Sequence, residues 1–295
     1  MKVNNFLPDL YKGQWAITFD AYRYLYQLTK DIASDSKSAK VSFKAKQLIE
    51  FYDENNDPVK PNLEGFVEIP DGSVAVLNMI GPIVSYGNWW FYGADEIVKQ
   101  LEKLDKNPNI KSILVYMDGP GGSVSAIAPF LAFGEKRNKK KPLGIVYEQS
   151  ASAHLYIAYG LQPDFVWAAN NITASVGSLG VMVSWLDDQK WLEMNGLEKV
   201  AIYPDESSDK NLPLRLALEG KYDLIKTEML SPLAVRFQED MIRLNSNLKS
   251  AEPGVLTGKM FYAEAAIKVG FAQKIGTMEE AFQYLQTLSE LNHYN

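Results

Sequence analysis

The chain has 295 residues, enough for one or two domains with a sizeable core, and its 46% hydrophobic and 22% charged residues are those of an ordinary globular protein. A net charge of −6 argues against nucleic acid as the main partner, and the absence of cysteine excludes disulfides, thiolate metal sites and cysteine nucleophiles. Two histidines, His154 and His293, give a histidine-based metal site little to work with.

No run approaches the roughly 18 apolar residues of a membrane span, and the opening MKVNNFLPDLYKGQW lacks the apolar stretch of a signal peptide. The expectation is a cytoplasmic chain with no membrane partner and no metal. In chain order, residues 14–51 read as helical, with Phe19, Tyr22, Leu25, Leu28 and Ile32 at three-to-four spacing. Residues 52–65 are polar, carry two prolines and read as a linker. Residues 1–65 are therefore expected to form a helical N-terminal extension and linker, and 66–295 the main domain. From about residue 66 short apolar, β-branched runs begin, at 73–84, 111–118, 142–148, 164–169 and 179–187. Helical stretches lie between several of them, at 93–107 and 123–137. Strands alternating with helices predict an α/β fold with a mostly parallel sheet. The run Lys136-Arg137-Asn138-Lys139-Lys140-Lys141 reads as a solvated helix end. After EKVAIYP (198–204), read as a strand, the chain turns mostly helical, broken by GFAQKIG (270–276).

Two stretches could carry chemistry. In VYMDGPGGSVSA (115–126) a strand runs through Gly-Pro-Gly-Gly into a helix, so backbone N–H groups could hold a phosphate or an oxyanion. A plain tight turn explains the same letters. No Gly-Lys-Ser/Thr follows, which excludes a Walker loop. In YEQSASAHLY (147–156) a strand leaves through Ser and Ala into an apolar helix, a nucleophile's position for Ser152 or a close-packing site for a small residue. Its base is not obvious. His154 is two residues away and points to another face of a helix, and His293 is third from the end. A Ser-His-Asp triad is close to excluded, which leaves a desolvated lysine. Lys210, in the polar loop DESSDKNLPLR (205–215), is by spacing alone one lysine among many, and Asp205, Glu206 and Asp209 must face away from it.

Taken together, these segments resemble the signal-peptide-peptidase-A (SppA) family of Ser/Lys proteases, over about residues 73–285. YMDGPGGSV is similar to the family's oxyanion loop, SASAHLYIA to its serine helix, ITASVGSLGVMVSWLD to a stretch whose serine supports the lysine, and SSDKNLP to its lysine segment. GVLTGKMFYAEAAIKVGFAQKIGTMEEA (254–281) is similar to the closing segment. The resemblance implies a Clp-protease/crotonase-like fold, Ser152 as nucleophile, Lys210 as base, and no cofactor. It implies an oxyanion hole from the N–H of Ala153 and of Gly122, with Gly121 as the near alternative. Ser178 is the implied support for the lysine, with Ser175 as its rival because the interval from Ser152 is longer than the family's. Ala153 and His154 stand where the family has small residues, often glycine. QWAITFDAYRYLYQLTKDI (14–32) is similar to the opening of phage capsid-assembly (prohead) proteases of the same family. That likeness implies a homo-oligomer acting on scaffold or capsid protein, inside the host cytoplasm or the prohead. The alternatives are a cytosolic SppA-like peptide-degrading peptidase, a crotonase-like acyl-CoA enzyme, or an inactive crotonase-fold assembly protein.

Overall fold

The β-branched runs at 73–84, 111–118, 142–148 and 164–169 all form strands in the computed structural model, which describes residues 14–23, 25, 47–62, 67–87, 91–185, 187 and 189–294. The first elements are β1 (Gln14–Ile17), β2 (Ile49–Tyr52), β3 (Ser73–Ile80), α1 (Ala94–Lys106), β4 (Ile110–Gly119) and β5 (Gly121–Ser123). Then come α2 (Ala128–Lys136), β6 (Leu143–Ala151), α3 (Ala153–Gly160), β7 (Phe165–Ala168), β8 (Ser175–Gly177) and β9 (Met182–Val183). The C-terminal part holds α4 (Gln189–Met194), α5 (Leu212–Leu218), α6 (Ser231–Leu244), β10 (Met260–Tyr262), α7 (Ala263–Val269), β11 (Lys274–Ile275) and α8 (Met278–Tyr294).

The main sheet has eight strands, with the path β10-β8-β6-β4-β3-β2. Its interior pairs β3–β4, β4–β6, β6–β7 and β6–β8 are parallel, and β2 and β10 close its edges antiparallel. Strand β6 changes partner along its length, pairing with β7 over Gly144–Tyr147 and with β8 over Gln149–Ala151. Parallel strands buried on both faces read as unbroken apolar runs, which is why β3, β4 and β6 were legible. Alternate residues divide between two layers. Val74, Val76, Leu114, Val146, Phe165 and Trp167 pack against Ala281, Phe282 and Leu285 of α8. Ala75, Leu77, Val115, Met117 and Ile145 join Ile97, Leu101 and Leu104 of α1 and Phe130 and Phe133 of α2. Each such leucine or isoleucine contributes about 1.5–3 kcal/mol by leaving water.

Three expectations need correction. The stretch 14–51 is not helical throughout: β1 and β2 are strands at its two ends, while residues 19–23 are helical and Leu28 and Ile32 lie outside the described residues. A four-residue strand is too short to show its period of two against a helical pattern. In β1 the period is nonetheless visible in the packing. Trp15 and Ile17 join Val84 and Phe91, whereas Ala16 joins the main core. Residues 198–204 form no strand and are mostly exposed. The basic run 136–141 is not simply solvated, because Arg137 and Lys141 are buried. The Lys141 ammonium donates to the carbonyls of Leu104 (2.7 Å) and Asn107 (2.8 Å) at the end of α1. Lys139 donates to Gly134 O in α2 (2.6 Å), and the Arg137 guanidinium to Leu161 O (3.1 Å) and Gln162 O (2.6 Å) after α3. Helix C-termini present carbonyls without intrahelical partners and a partial negative charge, and these three cations satisfy both needs. The basic run thus fastens three helix ends on the side of the sheet that carries Ser152's helix.

Candidate functional site

Ser152 is the hinge between β6 and α3, with φ 56° and ψ −112°. Positive φ at a non-glycine residue costs on the order of 1–3 kcal/mol and persists only where the surroundings enforce it. Here the enforcement is visible. The Ser152 N–H donates to Gly177 O (2.8 Å), one register step beyond the Ala151–Gly177 pair that joins β6 to β8. The Ser152 hydroxyl, 1% exposed with its residue, donates to Gly180 O (3.3 Å). Helix α3 begins with the Tyr156 N–H on Ser152 O (3.0 Å), so the N–H groups of Ala153 to Leu155 have no carbonyl one turn back. Ala153 N–H is therefore a donor beside the serine at the positive end of a helix.

The Gly-Pro-Gly-Gly loop lies against the same turn. Gly119 allows the close approach: a Cβ there would fall 2.1 Å from His154 Nε2. The Gly121 N–H donates to His154 Nδ1 (3.2 Å), which ties the loop to the first turn of α3. Burial pushes the His154 imidazole down to about 4, and a donor on Nδ1 requires that nitrogen to be bare. The ring is thus neutral near pH 7, carries its proton on Nε2, and works as an anchor.

Ser178 follows Gly177 directly, is half-buried at φ 54°, and donates its N–H to Lys259 O (3.1 Å). Ser175 sits at the other end of β8, opposite Gln149. Lys210 is elsewhere. It occupies an exposed turn after the 3-10 segment Asp205–Ser207, its N–H on Ser207 O (3.0 Å), and among the described residues no hydrogen bond or ion pair joins it to Ser152. Asp205, Glu206 and Asp209 are exposed as well. The structure thus brings together Ser152, Ala153, Gly121, Gly122 and Ser178, but not Lys210. The His293 side chain lies outside the described residues. Among the described residues no cluster of three or more metal-ligating side chains is present.

Behind the serine helix, Tyr156 stacks on Phe237 of α6 (4.3 Å, 9°) and donates its hydroxyl to the buried Asp240 carboxylate. Arg236 (2.9 Å) and Arg243 (2.8 Å) complete that carboxylate's shell. Burial pushes Asp240 up, but the Tyr156 hydroxyl and the two arginines outweigh it and hold the carboxyl below its ordinary value. This network fixes the face of α3 turned away from the site. Sequence reasoning missed His154 as an anchor and the carbonyls of Gly177 and Gly180, because a backbone acceptor leaves no mark in the letters.

No protein-family model matches the chain. It is 24% identical over 201 residues to a Methanocaldococcus jannaschii protein named as a candidate protease, spanning 66% of this chain and 62% of that one. It is 23% identical over 202 residues to an Enterococcus faecium protein named as a candidate signal peptide peptidase SppA, spanning 68% of this chain and 57% of that one. The match therefore covers less than two thirds of either relative's length. Among solved structures, a mutant of a membrane-bound stomatin-specific protease in complex with a substrate peptide is 18% identical, with a TM-score of 0.43 over 70% of this chain and 76% of that one. A second mutant of that protease is 16% identical, with a TM-score of 0.45 over 73% and 84%. The chain is thus similar in sequence to one protein named as a protease and one named as a signal peptide peptidase SppA, while its α/β class follows from its own strand order. Among the described residues no helix is long and apolar enough to cross a membrane.

Proposed function

We propose that the chain is a serine endopeptidase in which Ser152 is the nucleophile and Lys210 the base. One observation carries the reading: Ser152 sits at a strained strand-to-helix turn, beside the Ala153 N–H at the helix N-terminus and a glycine loop tied to the same helix through His154. In the reaction, neutral Lys210 takes the Ser152 proton as Oγ attacks a peptide carbonyl carbon. The oxyanion accepts N–H bonds from Ala153 and Gly122. The lysine ammonium then protonates the departing amine. Water attacks the acyl ester, gives its proton to Lys210, and Ser152 is regenerated. Ser178, next to the Gly177 carbonyl that holds the Ser152 N–H, is the better placed of the two supporting serines.

Lys210 must be desolvated to be neutral. In the single chain it is exposed, as are Leu197 (53%), Val200 (71%) and Ile202 (90%) on the arm before it. The proposal therefore includes a homo-oligomer in which a second copy covers this arm and completes the dyad. The preferred substrate is a scaffold or capsid protein during phage or prophage head assembly, inside the host cytoplasm or prohead, a reading supported by the likeness of residues 14–32. Exposure of Lys210 is also what favours the second reading, an inactive assembly protein of the same Clp/crotonase-like fold.

Incubation with a serine-reactive phosphonate followed by peptide mass mapping tests the enzyme reading. The expected result is one adduct on Ser152, and an unlabelled Ser152 in the assembled protein would overturn it. Co-expression with capsid and scaffold proteins tests the substrate: uncut scaffold alongside hydrolysed unrelated peptides removes the head-assembly reading and leaves a peptide-degrading enzyme.

A further inference from the structure

Strand β1 lies in a seam between two site segments. On one side it pairs antiparallel with β5, Trp15 opposite Ser123, Ala16 opposite Gly122 and Ile17 opposite Gly121. On the other side Gln14 and Trp15 pair with Val183 and Met182 of β9, which begins two residues after the Gly180 carbonyl that holds the Ser152 hydroxyl. The Thr18 N–H on Pro120 O (2.9 Å) fixes which antiparallel pairs exchange hydrogen bonds. Two residues further along, Ala16 and Gly122 are such a pair, so the Gly122 N–H donates to Ala16 O. The other donor of the loop, Gly121 N–H, is already on His154. Close approach of the two backbones needs glycine at 121, which has φ +108° and would place a Cβ 2.1 Å from Ala16 O.

The geometry points to β1 as a resident occupant of the peptide-docking seam, which withholds the Gly122 N–H from substrate until it is displaced. The inference rests on the proposed roles of Ser152 and Gly122. Its grounds are the chain's own contacts. The Ala16 carbonyl takes the Gly122 N–H that the proposed mechanism gives to the acyl oxygen, with backbone pairing on both sides as in strand addition to a sheet edge. The side chains suit a plug. Trp15 (1% exposed) is edge-on to Tyr22 at 5.8 Å, Ala16 is fully enclosed, and the Tyr22 hydroxyl donates to Ser184 O (2.9 Å). Among the described residues the three-stranded sheet β5-β1-β9 has no other strand in it, so removing β1 leaves two facing edges for an incoming one. A competing peptide must be extended, with a small residue between two bulky apolar ones. If β1 fills the seam about 99% of the time, apparent substrate affinity falls about 100-fold.

The test is a disulfide lock. The chain has no cysteine, so Trp15→Cys with Ser123→Cys adds the sole thiol pair. These residues form a pair without mutual hydrogen bonds, where Cα atoms lie about 4.5 Å apart, within the disulfide range of about 4.4–6.8 Å. One arm measures binding of a fluorescent peptide of residues 12–20 (KGQWAITFD) to the full chain, oxidised and reduced. The other measures the rate of phosphonate labelling at Ser152 in the same two forms. Reduction should raise both by about 10-fold or more. Equal peptide binding in the two forms overturns the inference. Gated peptide binding with no Ser152 labelling in either form instead defeats the peptidase reading and leaves β1 as the seam's occupant. Trp15→Asp, which loosens β1 without a crosslink, guards against misfolding of the double variant. It should bind the peptide about 10-fold better than the parent, and binding no better than the parent also overturns the inference.

Discussion

The imidazole Nδ1 of His154 accepts the N–H of Gly121 from 33 residues away, joining the glycine loop to the first turn of the helix that follows Ser152. This bond exists only while the ring is neutral, which makes it a sensor of acid. Burial holds His154 at about 4, below the ordinary 6.5. The unfolded chain therefore binds a proton as the pH falls through 6.5, while the folded chain resists until about 4. Stability is fully present above 6.5 and is lost on descending from 6.5 to about 4, by up to on the order of 3 kcal/mol. Urea unfolding at stepped pH should show this slope, and His154→Asn should flatten it. A parent curve already level across that window would mean that His154 is not buried and neutral.

Replacing Ser152 by Ala should abolish peptide hydrolysis and phosphonate labelling. The hydroxyl's bond to Gly180 O is long at 3.3 Å, and Ala keeps the backbone N–H on Gly177 O. Stability should therefore change by less than about 1 kcal/mol. Thermal melts beside the activity assay check both halves, and activity near that of the parent would remove Ser152 from the chemistry.

Lys210→Arg should be as inactive as Lys210→Ala, because a guanidinium cannot give up its proton in a protein. Since the base must be neutral, the parent's rate should climb as the pH rises. An active Lys210→Arg would place the base elsewhere. In the same assay Ser178→Ala should lose more activity than Ser175→Ala, because Ser178 adjoins Gly177 whereas Ser175 lies at the far end of β8.

Arg137→Met should destabilise the fold by about 3 kcal/mol or more, since it strands the carbonyls of Leu161 and Gln162 and the Lys141 carbonyl at 2.9 Å. Substitution of Lys140, exposed in the same basic run, should change stability by less than about 0.5 kcal/mol. Chemical denaturation of the two variants compares them directly, and equal effects would return the whole run to a solvated surface.

The letters alone determined the parallel sheet, because strands buried on both faces must be apolar throughout, and the helices between them, because α1 and α2 bury one stripe each. They also singled out Ser152 and the glycine loop, where small residues mark backbone bends that larger side chains obstruct. Composition removed the cysteine and triad chemistries by inventory. Tertiary structure decided what depends on partners remote in sequence. It turned Arg137 and Lys141 from apparent surface charges into caps on helix ends. It made His154 an anchor, because the Gly121 N–H arrives from another strand. It showed residues 14–17 as a strand, because pairing with β5 and β9 outweighs the weak helical period of four residues. It left Lys210 exposed, because nothing in its own turn excludes water. Side-chain patterning reports burial along one segment, whereas hydrogen-bond partners and desolvation belong to whichever segments the fold brings together.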